Sequence, residues 1–205
     1  MIAIVNYGVG NLTSIHNMLR KISVDAVISS DPEEIARAAR IILPGVGAFD
    51  HCMQLFNGSG LRELVTRRAL EERIPVLGIC VGMQMLTAGS EEGKEAGLGW
   101  ISGRTVRFRR GEVGNLKIPH MGWTEVKTKK SSKMVSDFSD EFRFYFVHSY
   151  HVEPADPSDI LLTAEYGYEF TAAVEKGNIR GVQFHPEKSH RFGMQLLKNF
   201  ATTVE

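Results

Sequence analysis

Cysteine is scarce in this chain of 205 residues: Cys52 and Cys80 are the only two. A chain of this length can bury a core without covalent staples, so two cysteines fit a reducing compartment better than a disulfide scaffold. The expected location is the cytoplasm. Charge of one sign is missing too, since 24 Lys and Arg balance 24 Asp and Glu. With no net basic field to release counterions from nucleic acid or to attract an anionic membrane, neither partner is expected. Long apolar runs are absent. The first residues, Met1 to Val5, turn polar at Asn6 with no basic leader, and nothing later approaches the roughly 18 uninterrupted apolar residues of a membrane helix. Neither secretion nor a membrane span is expected. Repeats, low-complexity tracts and composition breaks are lacking, so residues 1–205 read as one domain. A hydrophobic fraction of 43% makes disorder the wrong default.

What is present is an alternation. Residues 2 to 5 form an apolar run, Gly8-Val9-Gly10-Asn11 a turn, and Leu12, Ile15, Leu19 and Ile22 recur at helical spacing. A second run at residues 25 to 28 precedes Asp31-Pro32-Glu33-Glu34, in which Asp31 can cap, Pro32 suits the first helical position and Glu34 stands three residues after the cap. Residues 41 to 43 form a strand ending in Pro44-Gly45-Val46-Gly47, after which Leu61, Leu64 and Val65 mark a helix running to about Arg73. Residues 76 to 79 are fully apolar, as in a strand covered on both faces, and Met83, Met85 and Leu86 continue into a helix. Four strand-then-helix units predict an α/β fold with a doubly wound, mostly parallel sheet flanked by helices. From Leu98 to Val182 segments such as 105–108 and 144–147 look extended, so this half is strand-rich. Phe192, Leu196 and Phe200 predict a closing amphipathic helix.

Gly78-Ile79-Cys80-Val81-Gly82 is the sharpest local signal, a G-x-C-x-G form of the nucleophile elbow at a strand-to-helix junction. Its glycines suit a turn too tight for Cβ atoms, the thiol would project at the carboxyl end of the sheet, and the helix N-terminus behind it would favour a thiolate. A merely buried cysteine is the competing reading. Gln183-Phe184-His185-Pro186-Glu187 adds a base and its orienting carboxylate: in extended chain His185 and Glu187 share a face. Read singly, they would sit on the solvent face of an edge strand. The Pro44-to-Gly47 loop and the N–H of Val81 could donate to an oxyanion. Other residues read more simply. Cys52 packs in or beside the helix after the glycine loop, Arg107, Arg109 and Arg110 suit a solvated strand face, and His16, His51, His120, His151 and His190 lack metal-site spacing.

In this order the three elements resemble the class I, triad-type glutamine amidotransferases, and the resemblance covers the whole chain. It also rests on Asn6-Tyr7-Gly8-Val9-Gly10-Asn11, Pro119-His120-Met121-Gly122-Trp123, Tyr145-Phe146-Val147-His148-Ser149-Tyr150 and His185-Pro186-Glu187-Lys188-Ser189. It implies that Cys80, His185 and Glu187 hydrolyse glutamine to glutamate and ammonia through a thioester, with no metal or cofactor. It implies that Gln84, Ser149 and Tyr150 hold the amino-acid end of glutamine, while Gly45, Val46, Gly47 and Val81 make the oxyanion-side contacts. It further implies a heterodimer in which ammonia enters a (β/α)8-barrel synthase. Asn11, Pro119, His120, Met121, Gly122, Trp123 and Lys188 would lie on the docking face. For Trp123 the competing reading is a core tryptophan, and for Lys188 a solvated charge. Members that serve histidine formation are the first choice, although 97–101 and 144–151 also resemble members feeding sugar-modifying synthases of surface polysaccharides. Asn6 stands where Asp is frequent, Val81 where Leu is usual and Thr124 where Asn is usual, but all three triad groups are present, which disfavours a non-catalytic scaffold.

Overall fold

The structure, a computed structural model, describes residues 1–138 and 141–202. Its first half alternates as the sequence pattern predicts. Strand β1 (Ile2–Val5) is wholly buried and leads into α1 (Leu12–Lys21), whose Ile15 and Leu19 face the core. Strand β2 (Ala26–Ser29) precedes the short α2 (Pro32–Ala36), where the Asp31 carboxylate accepts the Glu33 N–H at 2.9 Å. The N–H of Asp31 donates to Ser29 Oγ (3.0 Å), so the reciprocal bond of a capping box goes to Ser29 rather than Glu34.

After β3 (Arg40–Gly45) the chain departs from expectation, with two helices where one was read. Helix α3 (Phe49–Gly58) buries Phe49, Cys52, Met53 and Phe56, and α4 (Arg62–Leu70) follows a turn in which Gly60 takes φ +75°. Helix α4 stops short of Arg73, whose φ of +54° cannot continue a right-handed helix. Strand β4 (Val76–Cys80) is fully buried and passes directly into α5 (Val81–Met85), a helix of only five residues.

The second half supplies β5 (Gly103–Arg107), β6 (His120–Thr128), β7 (Arg143–His148), β8 (Tyr150–Pro154), β9 (Ile160–Tyr166), β10 (Tyr168–Lys176) and β11 (Ile179–Val182). Helix α6 (His190–Thr202) closes the described chain. Strands run in the order β2-β1-β3-β4-β11-β10-β9-β6-β7, with β8 joined to β10 and β5 to β8. The first five are parallel and the remainder pair antiparallel, giving a mixed sheet. Helix α1 packs with α6, α2 with α4 and α3 with α5. Phe144 on β7 stacks on Phe184, just beyond β11, with ring centroids 3.7 Å apart, tying the antiparallel extension to the parallel half. Among the described residues no helix is long and apolar enough to cross a membrane.

Candidate active site

Four parallel strands, β1, β3, β4 and β11, deliver their carboxyl ends to one edge, where open α/β sheets leave room for ligands. There a cavity of about 390 Å³ is lined by Asn11 beyond β1, Val46 and Gly47 beyond β3, Cys80, Val81 and Gln84 at the β4–α5 junction, and His185 and Lys188 beyond β11. The antiparallel half closes it with Pro119 and residues 147–150.

The elbow is a place of backbone strain. Cys80 holds φ +56° and ψ −114°, a conformation costly for a residue with a Cβ. Its flanking glycines answer to close approach: a Cβ on Gly78 would lie 2.6 Å from the Gly82 carbonyl oxygen, and one on Gly82 only 1.9 Å from that of Leu43. Helix α5 is too short for a sizeable macrodipole, so the expected helix-terminus contribution at the thiol is small. The nearby positive charge comes from His185 instead.

His185 and Glu187 do meet, but through a different local geometry from the extended one expected. Strand β11 ends at Val182, and Pro186–Lys188 form a 3-10 turn, with Pro186 at the first helical position and the Lys188 N–H donating to the His185 carbonyl at 3.0 Å. His185 is 3% exposed, which excludes a solvent-facing pair. Its Nδ1 lies 2.8 Å from Glu187 Oε1, and the same oxygen accepts the Asn11 side-chain amide at 2.8 Å. Burial pushes the His185 pKa down, but hydrogen bonding to the Cys80 thiol and to Glu187 outweighs it and raises the value to about 10. For Glu187 burial works upward, and the bonds from His185 and Asn11 prevail, holding the carboxyl below its usual range. An imidazolium between a sulfur and a carboxylate is thus the arrangement at neutral pH.

Of the glycine loop, Pro44 and Gly45 belong to β3, with Gly45 paired to Cys80 across the ladder. Gly45 packs against the backbone of Gly82 rather than lining the cavity, and the free loop is only Val46 and Gly47, the latter at φ +89°. Two side chains hold this segment from behind. The Tyr7 hydroxyl donates to the Pro44 carbonyl, and the Cys52 thiol donates to that of Val46 at 3.3 Å. Burial foremost raises both groups, Cys52 to about 11, so both keep their protons. Cys52 therefore packs in the helix after the glycine loop as expected, but that helix is α3, which the sequence pattern did not mark, and its hydrogen-bonding role was not revealed by the sequence.

On the opposite wall the Gln84 amide donates to the Tyr150 carbonyl (3.3 Å) and to Gln183 Oε1 (3.1 Å), while Gln183 Nε2 lies 3.9 Å from Cys80 Sγ. Ser149 and Tyr150 are half-buried in the cavity wall. Sequence reasoning passed over Tyr7, Gln183, His148 and Glu92, the last a cavity-lining carboxylate that accepts the Phe49 N–H at 2.8 Å. Tyr7 and His148 stood inside quoted motifs, and Gln183 begins the His185 segment, which was the available signal.

The residues expected on a docking face divide. Met121 (62% exposed) and Trp123 (40%) lie at the surface, which excludes a core tryptophan. Trp123 stacks on His190 with centroids 5.5 Å apart and has the Arg143 guanidinium over its ring. Lys188 is exposed with its ammonium over Tyr145. His120 is instead buried, because alternate residues of β6 face opposite ways, and Asn11 is committed to Glu187. Gly122 is half-buried beside Trp123. Arg107 and Arg110 are exposed, and Arg109 pairs with Glu112 and Glu153 at the surface. Among the described residues no three His, Cys, Asp or Glu cluster as metal ligands do.

A family model for class-I glutamine amidotransferases matches residues 3–204. Over the full length of both chains, this one is 50% identical to imidazole glycerol phosphate synthase subunit HisH 2 of Pseudomonas aeruginosa. It is 52% identical to the subunit of the same name from Methanococcus maripaludis, over 98% of each chain. Among solved structures, PurLQS from Thermotoga maritima superposes with a TM-score of 0.70 at 19% identity, over 97% of this chain and 96% of that one. The glutaminase domain of Trypanosoma brucei CTPS does so at 0.67 and 18%, over 100% and 94%. At such identities these structures speak for the fold alone.

Proposed function

The chain belongs to the class-I glutamine amidotransferase family, and from that premise we propose that it is the glutaminase subunit of imidazole glycerol phosphate synthase, working in histidine biosynthesis as a heterodimer with a (β/α)8-barrel cyclase. The observation that carries the catalytic reading is the line Cys80, His185, Glu187, Asn11, in which Cys80, His185 and Asn11 line one cavity and Glu187 bonds to His185 and Asn11 from behind it. In this reading the Cys80 thiolate attacks the side-chain amide carbon of glutamine. The developing oxyanion takes hydrogen bonds from the N–H groups of Val81 and Gly47, in the Gly45-to-Gly47 segment. The His185 imidazolium gives its proton to the leaving nitrogen, releasing ammonia and leaving a cysteinyl thioester. Water, deprotonated by the now neutral His185, then attacks that thioester and returns glutamate and the thiolate. Glu187 holds the imidazole tautomer and stabilises its charge, and Asn11 holds Glu187.

Gln84, Ser149 and Tyr150 are assigned to the amino-acid end of the substrate, for which a small polar-walled cavity is apt. Met121, Trp123 and Lys188 are assigned to the cyclase face, with Pro119 and Gly122 beside them. The chemistry needs no metal or cofactor, and a cytoplasmic location suits a biosynthetic enzyme with free buried thiols. The test is glutamate formation by the chain with its cyclase subunit, comparing wild type with Cys80→Ala. Hydrolysis should vanish in the variant while synthase activity with added ammonium salt persists. Wild-type glutamate formation by Cys80→Ala would remove the nucleophile assignment.

A further inference from the structure

In the cavity wall and behind it lies a buried pair of histidines, His148 and His120, that the proposed chemistry does not use. On β6 and β7, His120 and His148 are cross-strand partners, with His120 Nδ1 3.0 Å from His148 Nε2. The far nitrogen of His148, Nδ1, lies 2.7 Å from the Tyr150 carbonyl oxygen. The far nitrogen of His120, Nε2, lies 2.8 Å from Thr124 Oγ1. In a straight strand residues four apart have Cα atoms about 13 Å apart. Here Gly122, between the two, takes a φ of +139° that a straight strand does not use, and the imidazole reaches the hydroxyl.

The proton positions follow by elimination. A carbonyl oxygen only accepts, so His148 Nδ1 must carry hydrogen. Both rings are buried among Phe146, Tyr166 and Phe170, with Tyr166 stacked on His120 at 4.1 Å between centroids. Burial, reinforced by the neighbouring imidazoles, keeps His148 well below its usual pKa, and burial lowers His120 to about 4, so both rings are neutral. A neutral His148 with hydrogen on Nδ1 accepts at Nε2. His120 must then donate from Nδ1 and accept at Nε2, which leaves Thr124 as the donor at the head of the chain. Every bond points the same way, from the Thr124 hydroxyl through two imidazoles to the Tyr150 carbonyl, which also accepts the Gln84 amide.

We infer that Thr124, His120 and His148 are positioning residues: a one-way hydrogen-bond relay that fixes the Tyr150 carbonyl, and with it the Gln84 amide, at the wall of the glutamine pocket. This rests on reading the cavity as that pocket. The relay begins beside the exposed Trp123, at the surface assigned to the cyclase, and ends where substrate is held.

Two measurements test it, both on the complex at saturating cyclase. Two-bond nitrogen NMR should find His120 and His148 neutral, with hydrogen on Nδ1 in each. Thr124→Val, which keeps the shape and removes the donor, should raise the KM for glutamine about three- to tenfold, the scale of one net hydrogen bond, with kcat within about twofold. Thr124→Ser, which restores the hydroxyl, should restore KM. Hydrogen on Nε2 of His148, a charged ring, an unchanged KM in Thr124→Val, or no recovery in Thr124→Ser would each overturn the relay. The NMR arm reads the relay even if the wild-type complex hydrolyses no glutamine, a result that would instead count against the glutaminase reading.

Discussion

At the scale of single residues, the charge on His185 governs the site. Burial alone would keep this ring neutral, and the Cys80 sulfur and the Glu187 carboxylate reverse that. Removing either partner should therefore lower the His185 titration midpoint from about 10, in Cys80→Ala by loss of the sulfur and in Glu187→Gln by loss of the carboxylate; histidine NMR against pH reads both. A midpoint unchanged in both variants would mean that neither partner sets it. Glu187→Gln should also slow turnover with the fold intact, because an amide stabilises an imidazolium less well than a carboxylate. The linkage has a definite sign. A folded-state pKa raised from 6.5 to about 10 adds stability that is complete below about 6.5 and is lost as pH rises through about 10. The elbow and the His-Pro-Glu sequence were legible because their residues are neighbours in the chain. Asn11 was not legible as Glu187's partner, since 176 positions separate them and only the sheet brings them together.

At the scale of elements, the glycines of the elbow and of the loop do different work, and substitution should separate them. Gly82→Ala would drive a Cβ into the Leu43 carbonyl, backbone against backbone, so β3 and α5 must part. Overpacking of this kind costs about 1–3 kcal/mol or more, and a large fall in the thermal midpoint is expected. Gly47→Ala meets no atom within 4 Å and suffers only from its φ of +89°, a cost of about 1–2 kcal/mol. It should fold, and lose glutaminase rate more than stability. Equal losses of stability would contradict the assignment of one glycine to packing and the other to conformation. The parallel half was readable from its apolar strands and turn residues. Helix α3 was passed over although Phe49, Cys52, Met53 and Phe56 hold helical spacing, because the glycine loop before it, Gly58 at its end and Gly60 after it make the region look like connection. The His185 turn was misjudged because Pro186 serves an extended strand and a first helical position equally well in isolation.

At the scale of the whole molecule, the site exists because strand order gathers distant segments. Strand β11 enters the sheet beside β4 a hundred residues later in the chain, and the antiparallel half folds back to set Pro119 and residues 147–150 across the cavity. Composition and period predict such a sheet but not which strand neighbours which, because strand pairing is decided by packing over long sequence separations. The exposed face carries a prediction of its own. Trp123→Ala should weaken binding of the cyclase subunit about tenfold or more, as loss of an aromatic anchor buried in an interface does, and leave the thermal midpoint of the isolated chain nearly unchanged. Unaltered affinity, measured by calorimetry, would move the docking face elsewhere.

The most direct measurement is covalent capture of the nucleophile. A diazoketone analogue of glutamine, incubated with the chain and its cyclase, should alkylate one sulfur per chain, and peptide mass spectrometry should locate it on Cys80. His185→Ala should slow the capture, and excess glutamine should protect against it. Cys52 is the internal control, since its thiol is buried, protonated and bonded to the Val46 carbonyl. Label on Cys80 that depends on His185 and yields to glutamine is the result expected; label on Cys52, or none on Cys80, would contradict the account.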